Sequence, residues 1–454
     1  MRTSDGSANR RSGRASRWPL RRAWLFALSA VVTATVLSIT AQLNTASAGT
    51  ARQAVPASVT GGGLSGSTAL IKLIAATSAM QETSAGPTVS SASPVGAPPA
   101  SAGFVTRSGS GLFLAGNRFR FAGANEYYLG LDDNVPDSSG MPTYPTKAAI
   151  DDALRSAVAT GATVVRSHTL GVSVGCSSCL EPRLGVFNDG ALVAADYAIF
   201  RAGQLGLKLM IPLTDQWRWY HGGESVFTGW AGYPNDPNPS VNAANSTAQR
   251  ESESHFYSDP AIRSSFRVYV AHLLNHVNPY NALAYKNDPT ILAWETGNEL
   301  WTADEAWTQS LAQYLKHTVG ARQLVADGSA ADGMSVSGAA VDAPDIDIVG
   351  GHFYPVDIEW MRRDASVAAA HGKAYVVGEF DWTNPGATAA LIAAVQGDPN
   401  IAGDLYWTLM PHLAGGAPEP HGDGFAMYTP AVDANMSAVL TQLTAHARWM
   451  AAAG

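Results

Sequence analysis

The sequence predicts an α/β protein, a (β/α)₈ TIM barrel with an N-terminal capping hairpin, preceded by a signal segment and a disordered linker. Three observations carry this expectation. From Gly103 onward short apolar runs alternate with longer stretches of helical periodicity, the pattern of repeated strand–helix units and a parallel sheet. The runs number eight, which specifies a barrel more readily than an open sheet. The chain has 454 residues, a length that one barrel and a tail would use fully.

In chain order, residues 1–48 combine a basic start (Arg10, Arg11, Arg14, Arg17, Arg21, Arg22), an apolar run from Ala23 to about Ala41, and Ala46-Ser47-Ala48 in A-x-A form. This reads as an export signal, so the body is expected outside the cell, secreted or anchored in the envelope. The pair Arg21-Arg22 is also compatible with a twin-arginine signal. The apolar run is nearly long enough to span a bilayer, so a membrane association follows only if the segment stays uncleaved. Residues 49–102 are dominated by Ser, Ala, Gly, Thr and Pro. Such a composition cannot bury enough to offset the entropy of ordering, so the segment reads as a disordered linker to a folded body over 103–454.

The body opens with a hairpin expected over Leu112 to Phe121, turning at Ala115-Gly116-Asn117 and plugging the bottom of the barrel. The eight strands are expected over Arg120 to Ala124, Thr163 to Ser167, Lys208 to Leu213, Thr290 to Glu295, Gln323 to Ala326, Ile346 to Gly350, Ala374 to Glu379 and Asp404 to Thr408. Helical periodicity falls over Lys147 to Ala159, Leu192 to Leu205, Ala261 to Val277, Ala303 to His317, Ala387 to Val395 and Met436 to Met450. Asp327 to Pro344 shows no clear helix. The segment from Trp217 to about Phe256, rich in Asn, Pro and Gly, reads as a long loop walling a cleft.

A barrel gathers its active site at the C-terminal ends of its strands. Two of those ends carry glutamates: Trp294-Glu295-Thr296-Gly297-Asn298-Glu299-Leu300 at the fourth and Val376-Val377-Gly378-Glu379-Phe380-Asp381-Trp382 at the seventh. Glu299 and Glu379 are therefore placed to oppose one another across a ligand. Two carboxylates about 5 to 5.5 Å apart are what retaining glycoside hydrolysis needs, one protonating the leaving oxygen and the other attacking the anomeric carbon. A lone Glu after an apolar strand is usually a cap or an ion-pair partner; the pair is what gives the reading its force.

At these residues the sequence resembles glycoside hydrolase family 5, and within it the β-1,4-mannanases. The resemblance runs from about Gly103 to the C-terminus. It is carried by Gly111 to Tyr128 (GLFLAGNRFRFAGANEYY), Val164-Val165-Arg166-Ser167, Tyr285 to Glu295, His352-Phe353-Tyr354, Val377-Gly378-Glu379-Phe380, Tyr406-Trp407 and Asp423-Gly424-Phe425. It implies Glu299 as acid/base, Glu379 as nucleophile and Asn298 as the residue binding the sugar's 2-hydroxyl. It further implies that Arg166 and Tyr354 hold the nucleophile, that His352 lies beside the acid/base, and that Trp407 floors the reacting sugar. A cation and a phenol favour the ionised form of Glu379, and an indole face stacks on a pyranose. The chain departs from the family where Leu300 and Trp301 follow Asn-Glu in place of Pro and Arg. It departs again where Asp215-Gln216-Trp217 stands in place of an Asn pair before Trp.

Twelve Trp and fifteen Tyr suit a carbohydrate cleft, and Trp217, Trp301 and Trp382, each beside a strand end, are expected to contact substrate. Trp294 and Trp307 read as packing residues. Among eleven His, His168, His221 and His421 are candidate substrate contacts, while His272, His276 and His446 read as ordinary helix residues. No His-Glu-x-x-His helix or compact ligand cluster marks a metal, so no metal or cofactor is expected. Asp132-Asp133-Asn134 with Asp137 lacks the spacing of a calcium loop and reads as a solvated turn. Cys176 and Cys179 are the only cysteines, which excludes zinc ribbons and iron–sulfur clusters. Outside the cell they read as a local disulfide in the loop after the second strand. Charged residues make up 15% and mean hydropathy is near zero, so a polytopic membrane protein is excluded. Residues 1–48 hold seven Arg against one Asp, so the net charge of -8 leaves -14 on the remainder, and an acidic body argues against nucleic acid. The expected partner is a β-linked polysaccharide or oligosaccharide, met by a monomer. Three alternatives stay open: an exo-acting β-mannosidase, a β-1,4-glucanase, and a non-catalytic carbohydrate-binding barrel.

Overall fold

A computed structural model describes residues 103–217, 222–234, 246–301, 303–329 and 336–454. The segments read as signal (1–48) and linker (49–102) lie outside the described residues, as does His221.

Three short antiparallel strands come first, β1 (Val105–Ser108), β2 (Gly111–Leu114) and β3 (Asn117–Arg118). Between β2 and β3 the chain turns on Ala115 and Gly116, with φ of 52° and 84°. Positive φ at both positions is the two-residue turn whose twist matches that of paired strands. The expected hairpin forms, and the structure adds β1, whose single apolar residue, Val105, leaves no alternation to mark it.

Eight parallel strands follow: β4 (Phe121–Asn125), β5 (Val164–Arg166), β6 (Lys208–Pro212), β7 (Ile291–Glu295), β8 (Leu324–Ala326), β9 (Ile348–Phe353), β10 (Ala374–Phe380) and β11 (Ile401–Tyr406). They pair in sequence order and close into a barrel where β11 meets β4. Each overlaps the run expected for it; β9 lies two to three residues later and β11 two to three earlier. Inside the barrel Phe121, Val164, Met210, Leu292, Leu324, Ile348, Val376 and Leu405 form one buried cluster. Val105 and Leu112 join it, so the three-stranded sheet does plug the end where the barrel strands begin. A second cluster fills the layer between barrel and helices, with Trp294 fully buried and Trp307 packed against Phe256, Tyr257 and Phe266.

Helices over Lys147–Ala159, Val193–Gln204, Pro260–Asn275, Glu305–Gln313, Pro385–Gly397 and Ala434–Ala452 take the places expected. Thr146, Asp259 and Asp433 each accept from a first-turn amide and so set where their helices begin. Three corrections arise. The segment after β6 is not a plain loop: it carries helices over Glu224–Trp230 and Thr247–Ser258. Asp327 to Pro344 contains a short helix, Gly338–Asp342. Ile358–Ala370 is helical between β9 and β10, where the sequence reading named none. In the loop after β5, Cys176 and Cys179 are joined as a disulfide with Cα atoms 5.0 Å apart. Among the described residues no helix is long and apolar enough to cross a membrane.

Candidate active site

β7 ends in Glu295, and the chain continues as a ladder between its neighbours. The Thr296 amide donates to Ala326, the Asn298 amide to Thr214, and the Leu300 amide to Gly328, at 2.9, 2.9 and 3.0 Å. Gly328 lies against this segment so closely that a Cβ there would stand 1.5 Å from the Gly297 carbonyl oxygen. Only glycine permits that approach. Held in this way, Glu299 adopts φ +52°, a left-handed conformation that costs a non-glycine residue about 1–3 kcal/mol and is typical of residues fixed for function. On β10, Gly378 precedes Glu379, and a Cβ at Gly378 would reach 2.7 Å from Nε2 of His352. Glycine there makes room for the imidazole.

Arg166, at the end of β5 and fully buried, is the hub. Its Nε donates to Glu295 Oε2 at 2.8 Å, Nη1 to Glu379 Oε1 at 2.8 Å and to Asn125 Oδ1 at 3.1 Å, and Nη2 to Asn298 Oδ1 at 2.8 Å. Nη1 also lies 2.8 Å from His168 Nε2. A guanidinium can only donate, so that nitrogen must be the acceptor. His168 Nδ1 in turn lies 3.2 Å from Asp215 Oδ2. The second Glu379 oxygen accepts from the Tyr354 hydroxyl at 2.9 Å.

Glu299 stands across from this group. Its Oε2 accepts from the Trp217 indole N–H at 2.5 Å, and its Oε1 lies 2.8 Å from His352 Nδ1. His352 Nδ1 is also 3.6 Å from Glu379 Oε2. One oxygen of each carboxylate and this nitrogen all lie within 4.8 Å of one another. That is the close separation of a displacement through a covalent intermediate, and it leaves no gap of the roughly 6.5–9.5 Å that an intervening water requires.

Burial pushes the Glu379 carboxyl up to about 7; His352 and Arg166 pull it down, the Glu299 carboxylate pushes it up, and the Tyr354 hydroxyl pulls it down. The cation and phenol therefore act in the direction expected from sequence but do not outweigh desolvation. At His352 burial lowers the pKa, yet Glu379 and Glu299 prevail and hold it above the ordinary value. At Arg166 burial also opposes the charge, and Glu295 followed by Glu379 reverse it, so its pKa is raised.

The aromatic candidates divide between the two sides of the mouth. Trp407 stacks on Tyr127 with centroids 5.5 Å apart and donates its N–H to Asp423 Oδ2 at 2.6 Å. Trp217 and Trp301 meet edge to face at 4.7 Å, and the Arg250 guanidinium covers Trp301 at 4.7 Å. Trp382 is 4% exposed and donates to the Phe425 carbonyl at 2.7 Å, tying down the loop that carries Asp423. His421 joins this side, its Nε2 lying 2.8 Å from Asp423 Oδ2. His446, read as an ordinary helix residue, is buried and lies 2.8 Å from Asp404.

The structure thus brings Arg166, Asn298, Glu299, His352, Tyr354 and Glu379 into one network. Sequence reasoning did not reveal the anchoring of Arg166 by Glu295 and Asn125, or the Trp217 indole on Glu299. Asn125 and Glu295 both end barrel strands, and that position was the available signal. The turn is solvated in part: Asp137 is exposed and Asp133 and Asn134 are half-buried, but Asp132 is buried beside Glu419, and burial raises both carboxyls. Glu299, His352 and Glu379 converge from three different strand ends, a grouping that exists only in the folded chain. Sequence spacing is blind to such a set.

An eight-stranded barrel whose fourth and seventh strands each deliver a glutamate to one mouth has the architecture of a glycoside hydrolase. The chain belongs to family 5 of that class: residues 102–385 match the family described as GH family 5 beta-mannosidase-like. It is 33% identical over 224 residues to mannan endo-1,4-beta-mannosidase 2 of Oryza sativa subsp. japonica, covering 48% of this chain and 45% of that one. To mannan endo-1,4-beta-mannosidase 3 of Arabidopsis thaliana it is 28% identical over 233 residues, half of each chain. The chain therefore spans about half the length of the curated relatives it matches. Among solved structures, the endo-1,4-beta-mannanase of Rhizomucor miehei aligns with a TM-score of 0.60 at 23% identity, over 77% of this chain and 99% of that one. The family 5 mannosidase of the same organism aligns at 0.62 and 19%, over 78% and 100%. These two establish the shared fold.

Proposed function

We propose that the protein hydrolyses β-1,4-linked mannan at internal bonds, by double displacement with retention. The observation that carries this reading is the pair Glu299 and Glu379, oxygens within 4.8 Å, the second held by a buried arginine and a tyrosine. Glu379 attacks the anomeric carbon while Glu299 gives its proton to the departing oxygen; Glu299 then takes a proton from the water that releases the sugar. Arg166 and Tyr354 bind both oxygens of Glu379 and fix its line of attack. Asn298, oriented by Arg166 and by Asp215 at 3.2 Å, is placed to read the 2-hydroxyl. Trp407 offers its indole as the floor for the reacting sugar. Trp217 and Trp301, on the acid/base side, meet the departing chain, and Trp382 supports the opposite wall.

Mannan as substrate, and endo action, are supported by the names of the rice and Arabidopsis relatives, each matched over about half its length. The body would act outside the cell as a monomer, with residues 1–48 as its export signal; a membrane contact arises only if that segment is retained. The test is viscometry of a mannan solution alongside reducing-end release. A steep fall in viscosity while few ends have formed is the expected result. Release of single mannose units with viscosity unchanged would replace the endo reading by an exo-β-mannosidase, and hydrolysis of cellulose in preference to mannan would replace the substrate.

A further inference from the structure

We propose that the trio Glu299, His352 and Glu379 is also a binding site for a borderline divalent transition-metal cation, with Zn²⁺ as the best-matched ion, and that such a cation excludes substrate. The ligand set is one imidazole nitrogen and two carboxylate oxygens, all within 4.8 Å of one another. Zinc bonds of about 2.0–2.2 Å at tetrahedral angles place neighbouring ligand atoms about 3.3–3.6 Å apart. From His352 Nδ1, Glu379 Oε2 at 3.6 Å lies at the upper end of that range, and Glu299 Oε1 at 2.8 Å lies below it and would move outward on binding.

The ligands are oriented in advance. Donors outside the trio hold Glu299 Oε2 (the Trp217 indole), Glu379 Oε1 (Arg166) and Glu379 Oε2 (the Tyr354 hydroxyl). Glu299 Oε1 and Glu379 Oε2, the latter with a lone pair left beside the tyrosine bond, face His352. Gly378 backs the far side of the imidazole, so Nδ1 rather than Nε2 faces the carboxylates. Outer groups that orient ligands in this way are a regular part of metal sites. The Arg166 cation beside the trio is shared with the buried Glu295, to which it pairs at 2.8 Å. Coordination uses the Nδ1 lone pair, so the proton shared with Glu299 leaves to solvent on binding.

Three protein ligands including a nitrogen suit Zn²⁺ or Cu²⁺, with a water in the fourth position. They do not suit Ca²⁺, which takes six to eight oxygens, or Mg²⁺, which demands an octahedron of oxygens. The cation would sit between the two carboxylates that substrate must enter, so the two ligands compete. This inference rests on the geometry of the trio and not on the choice of substrate.

Isothermal titration of ZnCl₂ into the chelator-treated full-length protein, without substrate, tests it. One site per chain is expected, with at least tenfold weaker binding in each of Glu299→Gln, His352→Ala and Glu379→Gln, and no comparable heat from MgCl₂. The Gln variants are near-isosteric, and thermal unfolding of all three checks that the fold is kept. His272→Ala removes the surface pair of His272 with Asp189 at 2.6 Å and should leave binding unchanged. Zinc binding that survives all three trio variants, or that follows His272 instead, would overturn the site, as would equal affinity for Mg²⁺. Because binding is read without turnover, a failed titration leaves the proposed hydrolysis standing, and an inactive protein leaves the metal site standing.

Discussion

Glu379 has to be ionised to attack, yet burial raises its carboxyl to about 7. Since a carboxylate is lost as pH falls through its pKa, kcat/KM should decline tenfold per pH unit below about 7. Tyr354→Phe removes a hydrogen bond that favours the ionised form, so the acid limb should move to higher pH. An acid limb near 4.5 in both proteins would contradict the placement of Glu379. Of the six residues that converge here, Glu299 and Glu379 were legible from their strand ends, and Arg166, Asn298, His352 and Tyr354 from the resemblance to family 5. Their partners were not. Arg166 and Glu295 are 129 positions apart, and that one guanidinium serves two glutamates follows from the closure of the barrel, not from any local pattern.

The three-stranded sheet acts on stability, far from the chemistry. Leu112, 1% exposed, fills the start of the barrel together with Phe121 and Ile348, whereas the carboxylates lie at the opposite mouth. Leu112→Ala should cost about 2–5 kcal/mol, from lost transfer energy and the cavity left behind. Denaturant unfolding should show that loss while kcat at low temperature stays within about twofold, because nothing at the mouth depends on the plug. A large loss of kcat with unchanged stability would place the sheet in the site instead. Most elements with apolar periodicity were legible in advance, though not Ile358–Ala370, whose Met361, Ala365 and Ala368 are buried. The helix Thr247–Ser258 was not, for its sequence TAQRESESHFYS is polar over most of its length. Its buried face holds Gln249, Ser252 and Glu253 beside Phe256 and Tyr257. Glu253 accepts from Gln249 and Gln216, so polar pairing does there what apolar contacts do elsewhere.

Across the whole molecule, buried carboxyls set the pH range of stability. Burial raises Glu126 and Glu419 to about 8, and Glu181 and Asp327 to about 7. A group raised in the folded state binds its proton more tightly there than in the unfolded chain. The stability it gives is complete below about 4.5, the ordinary glutamate value, and is lost as pH rises toward 8. Thermal unfolding should therefore occur at lower temperature at pH 8 than at pH 5. Glu126→Gln should lessen the difference, since both Glu126 oxygens are buried without a hydrogen-bond partner. A midpoint that rises from pH 5 to 8 would contradict this. The barrel itself was the most legible level, because eight apolar runs in alternation with helices admit few other closures. Its main consequence is that strands four and seven bring two glutamates close enough for one to form a bond to the sugar. Proton NMR of the first product released from a β-linked mannooligosaccharide tests that most directly. The β-anomer should appear first and mutarotate afterwards; the α-anomer appearing first would exclude Glu379 as the nucleophile.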